Sequence, residues 1–176
     1  MRRWVLIAST GLIPAPLALI GWLAPGPLAL WNSSPSEPVG LYVRDRAAPA
    51  VGRLIAFRPP PDAWPYVGQT MPERARTSIL KTVVASRGDL VCARDARLRL
   101  NGRDIAPIAA RDRLGRALPH WTGCRRLGVD EFFVYSARIA NSFDSRYYGP
   151  VRRRDVIGVY RPVGRVRWAL VGARGA

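Results

Sequence analysis

Histidine, lysine and cysteine are scarce in this sequence, which contains one histidine (His120), one lysine (Lys81) and two cysteines. A structural zinc site uses about four Cys and His ligands, so the chain cannot build one from its own residues. A Ser-His-Asp or Cys-His enzyme would depend on His120, which we interpret as a structural residue of a loop. We therefore expect neither a metal site nor a cofactor.

Acidic residues are also few, since 12 Asp and Glu stand against 28 basic residues and give a net charge of +16. All the basic residues except Lys81 are arginines. The length of 176 residues is about that of one domain, which argues against a multidomain enzyme. The hydrophobic fraction of 48 % is too high for a disordered polycation of the histone-tail type.

The N-terminal segment lacks charge from Trp4 to Ser36 and is mostly apolar. A bilayer core needs ~20 helical residues, and residues 4–23 supply that length. Arg2 and Arg3 precede this span, so the positive-inside rule places the N-terminus in the cytoplasm and the rest of the chain outside. We expect a membrane anchor over residues 1–31. A cleaved secretory signal peptide is the alternative, although its apolar region is usually shorter.

The rest of the chain has no long segment of helical periodicity and consists of short β-rich runs separated by Gly, Pro and Asp. A hairpin is predicted over residues 98–105, because Asn101-Gly102 between alternating residues favours a two-residue type I′ turn. Other predicted strands cover residues 41–43, 53–57, 78–85, 132–135 and 156–160. Residues 59–77 and 107–125 are predicted as loops. The fold class is mainly β, an antiparallel β domain over residues 32–162, followed by a basic tail over residues 163–176.

Lys81 lies in an apolar β-run with Leu80 and Val83 beside it. Burial lowers the pKa of an amine, so such a lysine can act as a general base. Arginine cannot, because its guanidinium stays protonated. The alternative is an ordinary lysine on the polar face of a half-buried strand, and the local pattern leaves both interpretations open.

Three serines, Ser33, Ser34 and Ser36, directly follow the apolar segment. Pro35 and Pro38 restrict the backbone there and would present a serine on a rigid turn. A nucleophile at this position would act on bonds close to the membrane surface. A polar linker that leaves the membrane would have the same composition.

Three separated segments together resemble the membrane-anchored Ser–Lys signal peptidases, and among them the TraF-type peptidases of conjugative transfer systems. The first is Ser-Glu-Pro-Val-Gly-Leu-Tyr at residues 36–42. The second is Leu-Lys-Thr-Val-Val-Ala at residues 80–85, with Gly-Asp at residues 88–89. The third is Asn-Ser-Phe-Asp-Ser-Arg-Tyr-Tyr-Gly-Pro-Val at residues 141–151. They occur in the family's order, and the resemblance spans residues 30–162.

The resemblance implies a signal-peptidase-like β domain in which Ser36 is the nucleophile and Lys81 is its general base. It further implies that the hydroxyl of Ser34 helps the N–H of Ser36 to hold the oxyanion. Ser142 would orient the ammonium group of Lys81 by hydrogen bonding.

Asp144 and Arg146 would hold one wall of the site, and the resemblance implies that TraF-type members need Asp144 for activity. A salt bridge within a turn is the structural interpretation of the same pair, and both interpretations can hold together. One departure concerns Glu37, because general leader peptidases carry a Met after the serine.

The function implied is that of a membrane-anchored serine endopeptidase that processes exported precursors, foremost a conjugative pilin subunit, by trimming or by cyclisation through an acyl-enzyme. Its place would be the bacterial inner membrane, with a single span and a periplasmic catalytic domain. The alternatives are a general type I leader peptidase that removes signal peptides and a non-catalytic scaffold of a type IV secretion or conjugation apparatus.

Cys92 and Cys124 both lie in the part expected to be exported, where an oxidising compartment would pair them. Closing a loop of about 33 residues would contribute roughly 3–4 kcal/mol on the chain-entropy model. Two independent buried thiols are the alternative.

Positive charge is concentrated near the C-terminus, where Asp155 is the only acidic residue among seven arginines in the last 25 positions. We expect these arginines to face anionic lipid or solvent, because each basic group near an anionic surface adds about 1 kcal/mol of attraction. Nucleic acid is the weaker interpretation, since the chain lacks the stacking-aromatic pattern of single-strand binders.

Overall fold

Short antiparallel strands dominate the part of the chain that the computed structural model describes, residues 26–164. The strands are β1 (Ala29–Asn32), β2 (Gly40–Asp45), β3 (Leu54–Phe57), β4 (Ile79–Ala85), β5 (Leu90–Arg94), β6 (Arg97–Leu100), β7 (Arg103–Pro107), β8 (Gly123–Arg126), β9 (Glu131–Val134), β10 (Val151–Arg152) and β11 (Val156–Pro162). The short helices are α1 (Tyr66–Thr70), α2 (Glu73–Thr77) and α3 (Ser145–Tyr148), with 3₁₀ turns at Pro61–Ala63 and Arg153–Asp155.

Two sheets are formed. The larger has seven strands in the order β1-β2-β11-β3-β4-β9-β10, and the smaller has four in the order β7-β6-β5-β8. Every pairing between these strands is antiparallel. The mainly β fold class and its antiparallel pairing are therefore confirmed.

Strand β4 is the element on which the site depends, and its residues alternate strictly between buried and half-buried positions. Ile79, Lys81, Val83 and Ala85 all lie on the buried face. This pattern is typical of a strand with one face against the core. It rejects the interpretation of Lys81 as a lysine on the polar face.

Hydrophobic packing divides into three clusters. The largest lies against the seven-stranded sheet and includes Phe57, Val83, Val134 and Tyr148. A second cluster lies against the four-stranded sheet and also includes Phe133 of β9, a strand of the seven-stranded sheet. The third joins strands β2, β3 and β11 around Tyr42, Leu54, Ala56 and Tyr160. Burial of these side chains stabilises the strand pairing of both sheets, because each buried aromatic or aliphatic side chain contributes about 1.5–3 kcal/mol to the free energy of folding.

The predicted hairpin is confirmed as β6 and β7. Its turn residues Asn101 and Gly102 both have positive φ, 49° and 81°, as a type I′ turn requires. The side chain of Asn101 also fastens the turn, since its Oδ1 accepts from the N–H of Leu90 at 2.8 Å and its amide donates to Asp89 at 2.9 Å.

The other predicted strands are found as β2, β3, β4, β9 and β11, with ends that differ by at most two residues. The loop predicted over residues 59–77 is wrong in part, because it contains a 3₁₀ turn and the helices α1 and α2. These helices are five residues each and have no side-chain cap, so they lack the usual signals in sequence. The loop predicted over residues 107–125 also overlaps the start of β8, whose residues are mostly exposed and which is fixed by pairing with β5.

The predicted membrane span over residues 4–23 lies outside the described residues, as does most of the basic tail. Ala29, Leu30 and Trp31, at the end of the segment expected to form the anchor, belong to β1. Within residues 26–164, none of the helices has the length and apolar character needed to span a bilayer.

Candidate active site

Residues 33–39 form a tight turn between β1 and β2, here called the serine turn. It is organised by Asn32, the last residue of β1, which is 8 % exposed. The amide group of Asn32 donates to the carbonyls of Ser34, Glu37 and Pro38 at 2.9, 3.1 and 2.9 Å. Its Oδ1 accepts from the N–H of Ser34 at 3.0 Å. One buried side chain therefore fixes the backbone on both sides of Ser36.

Ser36 and Lys81 meet at the centre of this region. The Nζ of Lys81 donates a hydrogen bond to the Oγ of Ser36, across 45 residues of sequence. Both are buried, with 2 % of Ser36 and 4 % of Lys81 exposed. A serine hydroxyl in contact with a buried amine is the arrangement that a Ser–Lys dyad requires.

Burial lowers the pKa of Lys81 below its usual value of 10.5. The negative charges of Asp144 and Glu37 act in the opposite direction, and the charge of Arg146 adds to the lowering. Desolvation is the largest of these effects, so the neutral amine is more accessible here than in water. A lysine in this state can accept a proton from a hydroxyl.

Ser34 lies beside Ser36, with its Oγ 2.9 Å from the Oγ of Ser36. The N–H of Ser36 donates to the same hydroxyl of Ser34 at 3.4 Å. These two donors are therefore adjacent to the reactive oxygen. A developing oxyanion is stabilised by preorganised donors of this kind.

The sequence did not single out Ser136, which lies just after β9. Its Oγ donates to the carbonyl of Ser36, and it is 3 % exposed. Ser136 thereby connects the end of β9 to the serine turn. No local pattern marks this residue, because its role depends on β9 lying beside the turn.

Asp144 and Arg146 form a fully buried ion pair at the start of α3. Asp144 caps the helix, and the Nε of Arg146 lies 2.7 Å from its Oδ1. A second guanidinium nitrogen donates to Oδ2 at 3.0 Å, so the pair is bidentate. Arg146 also donates to the carbonyls of Ser142 and Pro107, both at 2.9 Å. The salt bridge expected of this pair is present. The hydrogen bond from Arg146 to Pro107 connects the third motif to the end of β7.

The guanidinium of Arg146 is also enclosed by aromatic rings, at 4.9 Å from the centroid of Tyr135 and 5.3 Å from that of Tyr147. Burial by itself would lower the pKa of Arg146, but the hydrogen bonds and charge of Asp144 outweigh it and raise the pKa. The arginine is therefore a permanent cation of this wall.

Ser142 is buried beside the cleft, but the contact expected of it is not found. Its Oγ has no hydrogen-bond partner among residues 26–164, although it was expected to hold the ammonium of Lys81. The backbone of Ser142 is fixed from both sides, since its N–H donates to Ile139 and its carbonyl accepts from Arg146. Ser142 and Lys81 both line the cavity described below, and no hydrogen bond joins them.

Glu37 has a more central place than the sequence suggested. It is 2 % exposed, and its Oε1 accepts from the N–H of Thr82 at 2.9 Å and from the Oγ1 of Thr82 at 3.1 Å. Burial raises its pKa, and the charge of Lys81 opposes that effect.

Ser36 and Lys81 line a cavity of about 600 Å³. Apolar side chains form much of its walls, among them Leu30, Trp31, Met71, Ile79, Leu80, Ile139 and Phe143. Polar residues such as Ser33, Thr70 and Asn141 also line the cavity, and its apolar part suits the apolar side chains of a peptide substrate. Within residues 26–164, no cluster of His, Cys, Asp and Glu is arranged to hold a metal ion.

Cys92 and Cys124 form a disulfide between neighbouring positions of β5 and β8, with a Cα–Cα distance of 4.0 Å. The predicted pairing is confirmed. The bridge lies in the four-stranded sheet, whereas both dyad residues belong to the seven-stranded sheet and its serine turn.

Comparison with known proteins identifies the family to which this chain belongs. The family described as "Signal peptidase, peptidase S26" matches residues 1–164, which include all three motifs. The chain belongs to the signal peptidase family. Family membership supports a serine peptidase, and the resemblance to the TraF-type branch is confirmed by the relatives that follow.

The relatives of this signal peptidase family member include the plasmid transfer protein TraF of Escherichia coli, 35 % identical over 162 residues, which cover 86 % of this chain and 89 % of that protein. The conjugal transfer protein TraF of Agrobacterium fabrum is 30 % identical over 75 % of this chain and 80 % of its own. Signal peptidase I V of Bacillus subtilis is 26 % identical over 46 % of this chain and 54 % of its own. A solved signal peptidase I from Enterococcus faecalis gives a TM-score of 0.37 at 20 % identity and covers 64 % of this chain and 97 % of that one.

Proposed function

We propose that this chain is a membrane-anchored serine endopeptidase that uses Ser36 as nucleophile and Lys81 as general base. The observation that carries the proposal is the hydrogen bond from Lys81 Nζ to Ser36 Oγ in a buried site. A serine hydroxyl is a weak nucleophile by itself and needs a base within hydrogen-bond reach. In the described residues the amine of Lys81 has that position.

The first half of the reaction forms an acyl-enzyme. Neutral Lys81 takes the proton of the Ser36 hydroxyl while Oγ forms a bond to the carbonyl carbon of the substrate. The resulting oxyanion is stabilised by the hydroxyl of Ser34 and the N–H of Ser36, which lie beside Oγ. The ammonium of Lys81 then protonates the leaving amine as the C–N bond breaks, and the ester on Ser36 remains.

The second half resolves the ester. Water, or an amine, loses a proton to neutral Lys81 and attacks the ester carbonyl, and Lys81 returns that proton to the Oγ of Ser36. Water gives a trimmed linear product, whereas the amino terminus of the substrate gives a ring. Aminolysis requires that water be kept out while the chain end approaches. The apolar walls around Leu80 and Phe143 suit that requirement.

We propose a conjugative pilin subunit, or a similar exported precursor, as the substrate. The support is the similarity to TraF proteins whose names place them in plasmid and conjugal transfer. The disulfide between Cys92 and Cys124 supports an oxidising compartment such as the periplasm. In this proposal the N-terminal segment anchors the enzyme in the inner membrane, and the arginine-rich surface faces anionic lipid.

The test is to express the full chain with a pilin precursor and to follow the mass of the precursor. Ser36→Ala and Lys81→Arg are expected to abolish processing, since the first removes the nucleophile and the second leaves a base that stays protonated. Ser86→Ala, at the residue that directly follows β4, is the matched control and is expected to process like the wild type.

Unchanged processing by Ser36→Ala or Lys81→Arg would overturn the dyad. A product lighter than the trimmed linear chain by one water would establish cyclisation. Cleavage of ordinary signal-peptide substrates in preference to the pilin would favour the general leader peptidase. Absence of cleavage of both substrate types by the wild type would favour the scaffold.

A further inference from the structure

We propose that Glu37 is a positioning residue of the dyad, which ties the serine turn to β4 and holds a buried negative charge beside Lys81. The inference rests on the proposed function, because it assigns a role around the same two residues.

The first support is the pairing of consecutive residues. Ser36 contacts Lys81, and the next residue along each segment, Glu37 and Thr82, forms the second contact. The carboxylate of Glu37 therefore accepts two hydrogen bonds from Thr82, one residue beyond the contact between Ser36 and Lys81. A shift of the serine turn along β4 would break both contacts together.

The second support comes from the backbone hydrogen bonds of β4. The N–H and carbonyl of one residue point to the same side of a strand, and the carbonyl of Thr82 accepts from the N–H of Tyr135 at 3.1 Å. The N–H of Thr82 therefore faces the same side, beyond the point where the β4–β9 pairing begins at Val83 and Val134. Glu37 supplies its acceptor, and a buried N–H without an acceptor is unfavourable.

The third support is the distribution of charge. Asp144, the other carboxylate that acts on Lys81, is held by two hydrogen bonds from the side chain of Arg146. The hydrogen bonds that Glu37 accepts come from neutral groups of Thr82. The charge of Glu37 therefore acts on Lys81 without a bidentate guanidinium partner of the kind that holds Asp144.

The remaining groups that face Glu37 are Arg138 and Tyr42. The charge of Arg138 favours the ionised carboxylate of Glu37. The pKa of Tyr42 is raised to about 12, by burial first and by the charge of Glu37 second, so this phenol stays neutral. The charge of Tyr42 is therefore unchanged in the range where Lys81 is expected to titrate.

Glu37→Gln separates charge from position, because the amide oxygen can still accept from Thr82. Without the negative charge, the ammonium form of Lys81 is less favoured, and the pKa of Lys81 falls. The acid limb of the pH profile of kcat/KM is expected to move down by about one unit, which raises kcat/KM about tenfold at a pH on that limb.

Glu37→Met removes both the charge and the acceptor, so kcat is expected to fall at least about tenfold below that of Glu37→Gln, with a smaller change in KM. Thr82→Val keeps the charge and the backbone N–H but removes the Oγ1 donor. It is expected to lower kcat without moving the acid limb.

Lys81 can also be titrated directly, because it is the only lysine in the chain. The full chain in detergent, with ¹³C-labelled lysine, gives one side-chain resonance whose chemical shift follows the protonation of Lys81. A lower pKa in Glu37→Gln than in the wild type is expected. An equal or higher pKa would overturn the charge role, and equal kcat in Glu37→Gln and Glu37→Met would overturn the positioning role.

Failure of this inference can be distinguished from failure of the proposed function. If Ser36→Ala cleaves as well as the wild type, the dyad is wrong, and the lysine titration still measures whether Glu37 acts on Lys81. If cleavage depends on Ser36 but neither Glu37 variant differs from the wild type, only the role of Glu37 is refuted.

Discussion

Removing the positive charge of Arg146 is the sharpest test of how the wall beside the dyad is held together. Arg146 is 2 % exposed and Asp144 is completely buried. Arg146→Gln deletes the guanidinium that gives two hydrogen bonds to Asp144 and one each to the carbonyls of Ser142 and Pro107. Asp144 then remains as a buried carboxylate without its counter-charge.

The magnitude follows from that uncompensated charge. Breaking a buried ion pair by removal of one partner costs about 3–5 kcal/mol, whereas the stability of a whole domain is about 5–15 kcal/mol. Arg146→Gln and Asp144→Asn should each lower the free energy of unfolding by that amount. The double variant should lose less than the sum of the two, because it leaves no unpaired charge.

Urea unfolding of the full chain in detergent, followed by tryptophan fluorescence, measures these differences. Arg97→Gln is the matched control, since its partner Asp104 is at the surface and the two side chains are 44 % and 42 % exposed. This variant should unfold like the wild type. A loss below about 1 kcal/mol for Arg146→Gln, or strictly additive losses in the double variant, would refute the argument.

Three further outcomes are expected. Lys81→Met should be inactive yet more stable than the wild type at neutral pH. Because folding lowers the pKa of Lys81, the unfolded chain binds more protons than the folded chain, and the stability of the wild type rises as the pH approaches 10.5. The difference in stability between the two proteins should shrink there, and a difference in urea unfolding that stays constant with pH would contradict this reasoning. Replacing Cys92 and Cys124 by Ser should cost about 3–4 kcal/mol, and reductant should lower the wild type to the same level; a wild type insensitive to reductant would count against it. Gly102→Ala should cost about 1 kcal/mol in thermal unfolding because Gly102 has a φ of 81°, whereas Gly128→Ala, where φ is not positive, should cost little; equal losses would reject the turn argument.

Local sequence patterns predicted the parts of the fold that local interactions determine. The Asn101-Gly102 turn specifies its hairpin by backbone conformation. The buried face of β4 could not be predicted in this way, because Leu80 and Val84 on its other face are apolar too, and only the structure shows that Lys81 lies on the buried one. Strand β8 could not be predicted in the same way, because its exposed residues have no alternation and its position depends on β5.

Some residues of the candidate site could be found from local sequence motifs, and others only from the structure. Ser36, Lys81 and the Asp144–Arg146 pair lie in segments that resemble family motifs, and the structure brings these segments together. Ser136 could not be found from its neighbours, because its contact with the carbonyl of Ser36 exists only after β9 is placed beside the serine turn. The acceptor role of Glu37 likewise depends on where the β4–β9 ladder begins.

The position of β11 has a consequence for the order in which the site can be assembled. This strand, residues 156–162, lies between β2 and β3 in the larger sheet, although it is the last strand of the described chain. A nascent chain that ends before β11 already contains Ser36 and Lys81 but lacks the strand that joins their two halves of the sheet. We therefore expect the contact between Ser36 and Lys81 to form only after β11 has been synthesised, and truncation before residue 156 to separate these two residues without altering either of them.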